Sequence, residues 1–378
     1  MDKPSSTTCL FAHGLLIDFA TEVLTGVGVP KADARLAADS LVAANLRGVD
    51  THGIVRLPIY VDRLRQGLAN ASPDIKVVSD GPTTVVVDGD AGLGQVVSDR
   101  AITTTIDRAR EHGSCWTGVR NSTHNGTQAY WALRGARAGC VTFAFTNGEA
   151  IVAPWGGSER FLSTNPVCVA VPTDPPDELV LDMATSQVAG GHILLAKSRG
   201  ESIPEGWALD AEGNPTTDPD GYLNGGTILP LGGYKGAGLS LIVDVLTGIL
   251  SGGASTVDVG SMYWTFDKPQ DVGHAFLAID VERMMPLADF KDRVAATLTG
   301  MRAVARRPGV DRIYAPGDIE RDAEAHRRAH GCPLTMDIIE SLSVLADQAG
   351  VEMLSLIHIS EPTSRYAISY AVVCLKKK

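Results

Sequence analysis

The chain has 378 residues, 44% of them hydrophobic and 40 of them glycine, with a formal net charge of −11. That length fits two or so ordinary domains with a sizeable core. The glycine content favours a turn-rich α/β or α+β protein over a helical bundle, and the acidic balance excludes binding of nucleic acid or an anionic membrane through the overall field.

Six cysteines (9, 115, 140, 168, 332 and 374) are scattered without a CxxC pair. This fits a reducing cytoplasm rather than a disulfide framework or a zinc ribbon. Cys–His clusters are absent, so no metal site is expected. The start, Met1 to Ser6, lacks a basic stretch ahead of an apolar run, and no apolar run approaches the length of a membrane span.

In chain order, residues 11–27 and 31–47 read as helices; in the second, Leu36, Ala37, Ser40, Leu41 and Ala44 form a helical stripe. Next comes Gly48-Val49-Asp50-Thr51-His52-Gly53-Ile54-Val55-Arg56. If helical, it places His52, a potential proton donor, and Arg56, a carboxylate anchor, on one face. The plain alternative is a helix start capped by Thr51, with a surface arginine. Helical pattern resumes over 55–65, with Pro58 tolerated early in it. Gly53 and Pro58 argue against one regular helix across 51–56.

A β-rich run at 83–88 precedes Gly89-Asp90-Ala91-Gly92-Leu93-Gly94 and a helix-like segment to about 111. Strand, glycine turn and helix resemble a dinucleotide fingerprint, but the spacing is Gly-x-x-Gly-x-Gly rather than Gly-x-Gly-x-x-Gly. Strand-like runs follow at 117–120, 141–146, 167–171 and 179–182. His124 lies between a strand and a helix at 127–138, where open α/β sheets place ligands; a loop histidine is the alternative. Pro154-Trp155-Gly156-Gly157 and Ser163-Thr164-Asn165-Pro166 offer close backbone approach and polar groups, or are simply two tight turns. Asp182 ends an apolar strand ahead of Met183-Ala184-Thr185-Ser186, where it can orient a histidine and meet a nucleotide, or cap a helix. Lys235, among glycines before a helix, suits a phosphate or carboxylate but lacks Walker spacing. Residues 238–250 read as a buried helix, 275–280 as a strand, and 287–302, 319–329 and 335–349 as helices.

The expected fold is α/β (α+β): a central mixed sheet, with a helical domain built from the two chain ends. The expected divisions are an N-terminal helical part (1–75), a central cofactor and substrate domain (76–300), and C-terminal helices packing with the N-terminal part (301–354). Ser355 to Lys378 resembles the translation of a sequencing-adapter read-through and is taken as a non-native tail. It carries Arg365 and three lysines against Glu361, so the rest of the chain is more acidic still. No internal repeat is visible.

Leu46–Gly53, Ala153–Gly157, Thr164–Pro166, Leu181–Ser186, Pro204–Asp210, Gly233–Gly236 and Gly273–Asp280 occur in one order over roughly residues 11 to 350. Together they resemble the malate/L-lactate dehydrogenase family that is distinct from the Rossmann lactate dehydrogenases. The resemblance implies a hydride-transferring oxidoreductase that uses NAD or NADP on a small 2-hydroxy or 2-oxo acid. It also implies a nucleotide-binding fold of non-Rossmann type, homodimers with sites near the subunit interface, and no pyrophosphate role for Gly89–Gly94. Family members include malate, lactate, sulfolactate and ureidoglycolate dehydrogenases, diketogulonate reductase and cyclic imine-2-carboxylate reductases.

By resemblance, His52 is the proton donor, Thr51 and Asp182 complete a relay with it, Arg56 anchors the substrate carboxylate and Thr164 touches the substrate. His124 matches a histidine that serves as acid/base in some members and as a cofactor or substrate contact in others. Asp182, Met183, Ala184, Thr185, Ser186, Lys235, Gly236 and the loop at Gly317 match cofactor-binding segments. Three positions depart from the family pattern: Asn125 for a frequent Phe, His192 for a frequent Lys, and Asp318 for a frequent Glu. The alternatives are an NADPH-dependent reductase of cyclic imine carboxylates and a catalytically silent binding protein of the same fold.

Overall fold

The computed structural model describes residues 8–352. The expectation of a non-native tail lies outside the described residues. By contacts the chain divides into two units: the residues up to Asp62 together with those from Ile319 onward, and Arg63–Asp318. No helix among the described residues is long and apolar enough to cross a membrane.

The chain-end unit opens with strand β1 (Thr8–Phe11), then helices α1 (His13–Gly26) and α2 (Lys31–Leu46). Helix α1 buries Leu16, Ile17, Ala20, Val23 and Leu24 at helical spacing. Helix α2 turns an alanine-rich face inward: Ala34, Ala37, Ala38, Leu41 and Ala44. Two single 3-10 turns, Asp50–His52 and Ile54–Arg56, lead into α3 (Leu57–Arg65), with Pro58 in its first turn.

The sheet unit begins with β2 (Lys76–Asp80), β3 (Thr84–Gly92), α4 (Gly94–His112), β4 (Ser114–Ser122), α5 (Gln128–Arg137), β5 (Cys140–Thr146), β6 (Val167–Val171) and β7 (Leu179–Met183). Then come α6 (Gly190–Arg199), β8 (Ala208–Leu209), β9 (Pro215–Thr216), α7 (Pro219–Leu223), β10 (Thr227–Ile228) and α8 (Tyr234–Asp244). Strand β11 (Val272–Asp280) and α9 (Leu287–Ala303) complete it. The chain-end unit resumes through α10 (Asp318–His330), β12 (Cys332–Thr335) and α11 (Met336–Ala349), and β12 pairs antiparallel with β1.

The main sheet runs β2-β3-β4-β11-β5-β6-β7. Only β3 and β4 pair in parallel, across the crossover helix α4; the other pairs are antiparallel. This is a mixed sheet without the parallel order of a Rossmann domain. Strict alternation in β5 puts Cys140, Ala144 and Thr142 on the face covered by α4 and α5. Val85, Val87, Val97, Ile102, Trp131 and Phe276 build that core. A second core, around Val152, Leu162, Ile193 and Ile228, sits beside the small sheet β10-β8-β9.

The segment 238–250 departs from expectation. Helix α8 continues into a π turn, Val245–Ile249, and the side it buries is mostly small or polar: Gly236, Ala237, Ser240, Asp244, Thr247 and Gly248, together with Val243. Close approach explains this: a Cβ on Gly273 of β11 falls 2.3 Å from the Thr247 carbonyl oxygen. The large aliphatics face outward instead, with Leu239, Leu241, Ile242, Ile249 and Leu250 between 46% and 59% exposed.

Candidate active site

In the chain-end unit, Asn45 shapes the His52 segment. From the end of α2, its Oδ1 accepts the Ile54 N–H (2.8 Å) and its Nδ2 donates to Asp50 Oδ1 (2.7 Å). Arg327 of α10 grips Asp50 through both Nη atoms, at 2.6 and 3.0 Å. Gly53 is extended, and a Cβ there falls 2.3 Å from Asn45 Oδ1. The amide therefore breaks the path into two 3-10 turns, so His52 and Arg56 do not share the face of a regular helix. They meet around Thr51 instead. Thr51 Oγ1 lies 3.0 Å from His52 Nδ1, and Arg56 Nε donates to the Thr51 carbonyl oxygen at 2.7 Å. Thr51 uses its hydroxyl on the imidazole rather than as a helix cap.

In the sheet unit, Asp182 does cap a helix, but not one that follows it in sequence. Its Oδ2 accepts the Ala129 N–H at the start of α5 (2.8 Å), where an anion also meets the positive end of the helix dipole. His124 lies in the segment entering the same helix. The His124 N–H donates to Gln270 Oε1 and its Nδ1 accepts the Gly126 N–H, both at 3.4 Å. Asp271 holds the approach to that segment, its Oδ1 accepting the Asn121 N–H at 2.7 Å.

Thr164, Thr185 and the turn carrying Lys235 are stitched together. Thr185 donates its N–H (2.8 Å) and its hydroxyl (2.9 Å) to the Thr164 carbonyl, and its own carbonyl accepts the Leu231 N–H (2.9 Å). Gly236 is packed tightly: a Cβ there falls 2.3 Å from Leu231 O and 2.6 Å from Thr185 O. Ser186 is buried and its hydroxyl donates to Val188 O (2.8 Å). Met183 ends β7 opposite Val167, and Ala184 follows it. Gly317, at φ +95°, packs against Val180 of β7, whose N–H donates to Pro316 O (3.2 Å).

The glycine run at 89–94 has a packing explanation. A Cβ on Gly94 falls 2.1 Å from Thr123 O, and one on Gly92 falls 2.6 Å from Pro73. Asn125 turns into the core, donating to Ser98 (3.0 Å) and accepting from Gln128 (2.8 Å). Asp318 is fully buried, bound to Arg302 (2.8 Å) and to the Ala315 N–H (2.9 Å). His326 and His330 of α10 stand at i, i+4 with stacked rings. Among the described residues, no group of three or more His, Cys, Asp or Glu side chains is placed to hold a metal ion.

The sheet unit also fits an anionic dinucleotide. Lys235 is an exposed cation in the first turn of α8, entered through Gly232 and Gly233 at φ +57° and +66°. Exposed Trp155 lies over that turn, so a Cβ on Gly233 falls 2.7 Å from its ring. Beside Thr164, Asn165 keeps a buried Oδ1 with no hydrogen-bond partner among the described residues. Asn45, Gln270 and Asp271 were not singled out from the sequence. Gln270 contacts a residue 146 positions away and has no local signal. Asn45 had one: a polar residue on the apolar face of α2.

Comparison with known proteins agrees with this architecture. The chain is 42% identical over 345 residues to a malate dehydrogenase of Pyrococcus horikoshii, covering 89% of this chain and 94% of that protein. It is 39% identical over 261 residues to a (2R)-3-sulfolactate dehydrogenase (NADP+) of Chromohalobacter salexigens, covering 69% and 78%. A solved malate dehydrogenase structure from P. horikoshii matches with a TM-score of 0.86 at 38% identity, over 93% of this chain and 99% of that one. The sequence profile described as malate/L-lactate dehydrogenase matches residues 12–343, and the chain belongs to that family.

Proposed function

We propose that this CH–OH oxidoreductase interconverts a small 2-hydroxy acid and its 2-oxo acid, with NAD or NADP as redox partner. The observation that carries the reading is the Thr51-centred arrangement, which joins an imidazole and a guanidinium through one residue. With Nε tied to the Thr51 carbonyl, the guanidinium plane is set, and the Nη pair of Arg56 holds the substrate carboxylate in a bidentate grip. Thr51 engages Nδ1 of His52, so Nε2 is the atom that gives a proton to the developing alkoxide in reduction and takes the hydroxyl proton in oxidation. Asp182 stabilises the charged imidazole, and Thr164 contacts the substrate. His124 is the second acid/base candidate, or a contact to cofactor or substrate. Lys235 and the Asp182–Ser186 and Gly317 segments hold the cofactor, which when bound supplies the two-electron exchange with C2 of the substrate.

The outward aliphatic row of α8 supports a homodimer, because a contiguous apolar patch of this kind marks an association surface. The described cysteines are free thiols, which supports a cytoplasmic setting.

Assay of pyruvate, oxaloacetate and a cyclic imine-2-carboxylate with NADH and NADPH tests the reading. Turnover of an open-chain 2-oxo acid is expected. Turnover of the imine alone replaces the reading by an imine reductase, and no nicotinamide binding on titration replaces it by a silent binding protein. His52→Gln is expected to lower kcat by on the order of 10²–10⁴ with cofactor binding kept. Normal turnover removes His52 as the acid.

A further inference from the structure

Residues 302–312, at and beyond the end of α9, hold four arginines (Arg302, Arg306, Arg307 and Arg312) and one acid, Asp311, in a chain of net charge −11. Arg302, Arg306 and Arg312 line a cavity of about 420 Å³, and Asp311 contributes to its wall.

The charges in this cavity are unevenly matched. Arg302 donates to Asp177 (2.7 Å) and to buried Asp318 (2.8 Å), and its Nε is buried without a hydrogen-bond partner. Arg312 lies 3.6 Å from Asp318 and 4.7 Å from the Tyr314 ring centre. Arg306 donates to the main-chain carbonyl of Asp311. Among the described residues, no carboxylate lies within ion-pair distance of Arg306 or Arg307. Asp177 and Asp318 therefore answer Arg302 and Arg312, while the positive charge at Arg306 and Arg307 is in excess.

The position of the cavity suggests a ligand. The same segment runs on to Pro316 and Gly317, which pack on Val180 of β7, and β7 ends in Asp182 and Met183, ahead of Ala184–Ser186. The arginines thus flank two of the segments proposed above to hold the cofactor. A phosphate monoester carries about −1.5 to −2 charge near pH 7 and three acceptor oxygens, which guanidinium groups match in charge and geometry.

We infer that this cavity receives a phosphate monoester dianion, that its source is the ribose 2′-phosphate of NADP(H), and that the chain therefore prefers NADP(H) to NAD(H). The choice of cofactor rests on the dehydrogenase reading; the choice of a dianion rests on the arginines alone.

Two measurements on the full chain test it, with Arg306→Gln and Arg306→Lys as variants, because Arg306 makes no ion pair that its loss would break. In calorimetric titration, 2′-AMP is expected to bind at least about tenfold tighter than adenosine. Arg306→Gln should remove most of that difference and Arg306→Lys should restore part of it. In steady-state assays, the ratio of kcat/KM for NADPH to that for NADH should fall about tenfold in Arg306→Gln. Equal binding of 2′-AMP and adenosine, with no binding of inorganic phosphate, overturns the proposal. Arg306-dependent binding of inorganic phosphate with an unchanged cofactor ratio overturns the 2′-phosphate as the source and assigns the cavity to a free anion. Arg306-dependent 2′-AMP binding in a protein that turns over no 2-oxo acid or imine keeps the site and rejects the reaction instead.

Discussion

Replacing Arg56 by lysine is expected to separate anchoring from chemistry. Lysine keeps the charge but loses the planar fork and the Nε bond to Thr51. KM for the 2-oxo acid should rise about tenfold or more, the cost of a lost charge-assisted bond, with kcat less affected; an unchanged KM removes Arg56 as the anchor. His274 has a structural role. It is fully buried between Thr146 Oγ1 (2.8 Å) and Ser122 Oγ (2.9 Å), and burial pushes its pKa down to about 3. Unfolded, it titrates near 6.5, so between about pH 6.5 and 3 the unfolded chain binds a proton that the native state refuses. Stability from this residue is complete above about pH 6.5 and is lost as pH falls toward 3. His274→Gln should flatten that part of a plot of denaturation midpoint against pH, and an equal slope in both proteins removes His274 as the cause. Thr51, His52 and Arg56 were legible as a group because they are close in sequence. Arg327, which holds Asp50 beside them, was not, because it reaches that carboxylate across 277 positions.

At the level of elements, Asp182 joins two roles that substitution can separate. Asp182→Asn keeps an acceptor for the Ala129 N–H, whereas Asp182→Ala removes it and should cost about 1 kcal/mol of stability, as for a lost helix cap. If Asp182 also stabilises a charged imidazole, both variants should lose turnover while only the alanine loses stability. Turnover retained in the asparagine variant leaves the residue as a cap alone. Gly94→Ala tests the packing account of the glycine run. The added methyl meets the backbone at Thr123 and His124, so about 1–3 kcal/mol of destabilisation is expected, with reduced turnover through displacement of the His124 segment. Native-like stability defeats that account. The long elements were legible from their periods: α2 at 31–46, β5 at 140–146 and α9 at 287–303 lie within two residues of expectation. Strands β1 and β12 were not, because each is four residues long and is stabilised by a partner over three hundred positions away. Strand β2 is exposed throughout and has no alternation to read.

For the whole molecule, the aliphatic row of α8 is the testable surface. Ile242→Arg places a charge on that patch and is expected to convert a dimer into monomers, as measured by light scattering after size exclusion. A wild-type monomer removes the homodimer, and a variant that stays dimeric moves the association surface elsewhere. The sequence alone determined the family, the mixed α/β class and the residue types available for proton transfer and carboxylate binding, because those depend on local pattern and on motif order. Tertiary structure alone decided that 238–250 turns mostly small and polar residues inward and exposes Leu239, Leu241, Ile242, Ile249 and Leu250, because Gly273 lets the backbone at Thr247 approach the sheet closely. It decided that the Gly89–Gly94 run serves close packing, and that His52 and Arg56 meet around Thr51 instead of along a helix. Each of these follows from contacts between distant segments, which no local pattern encodes.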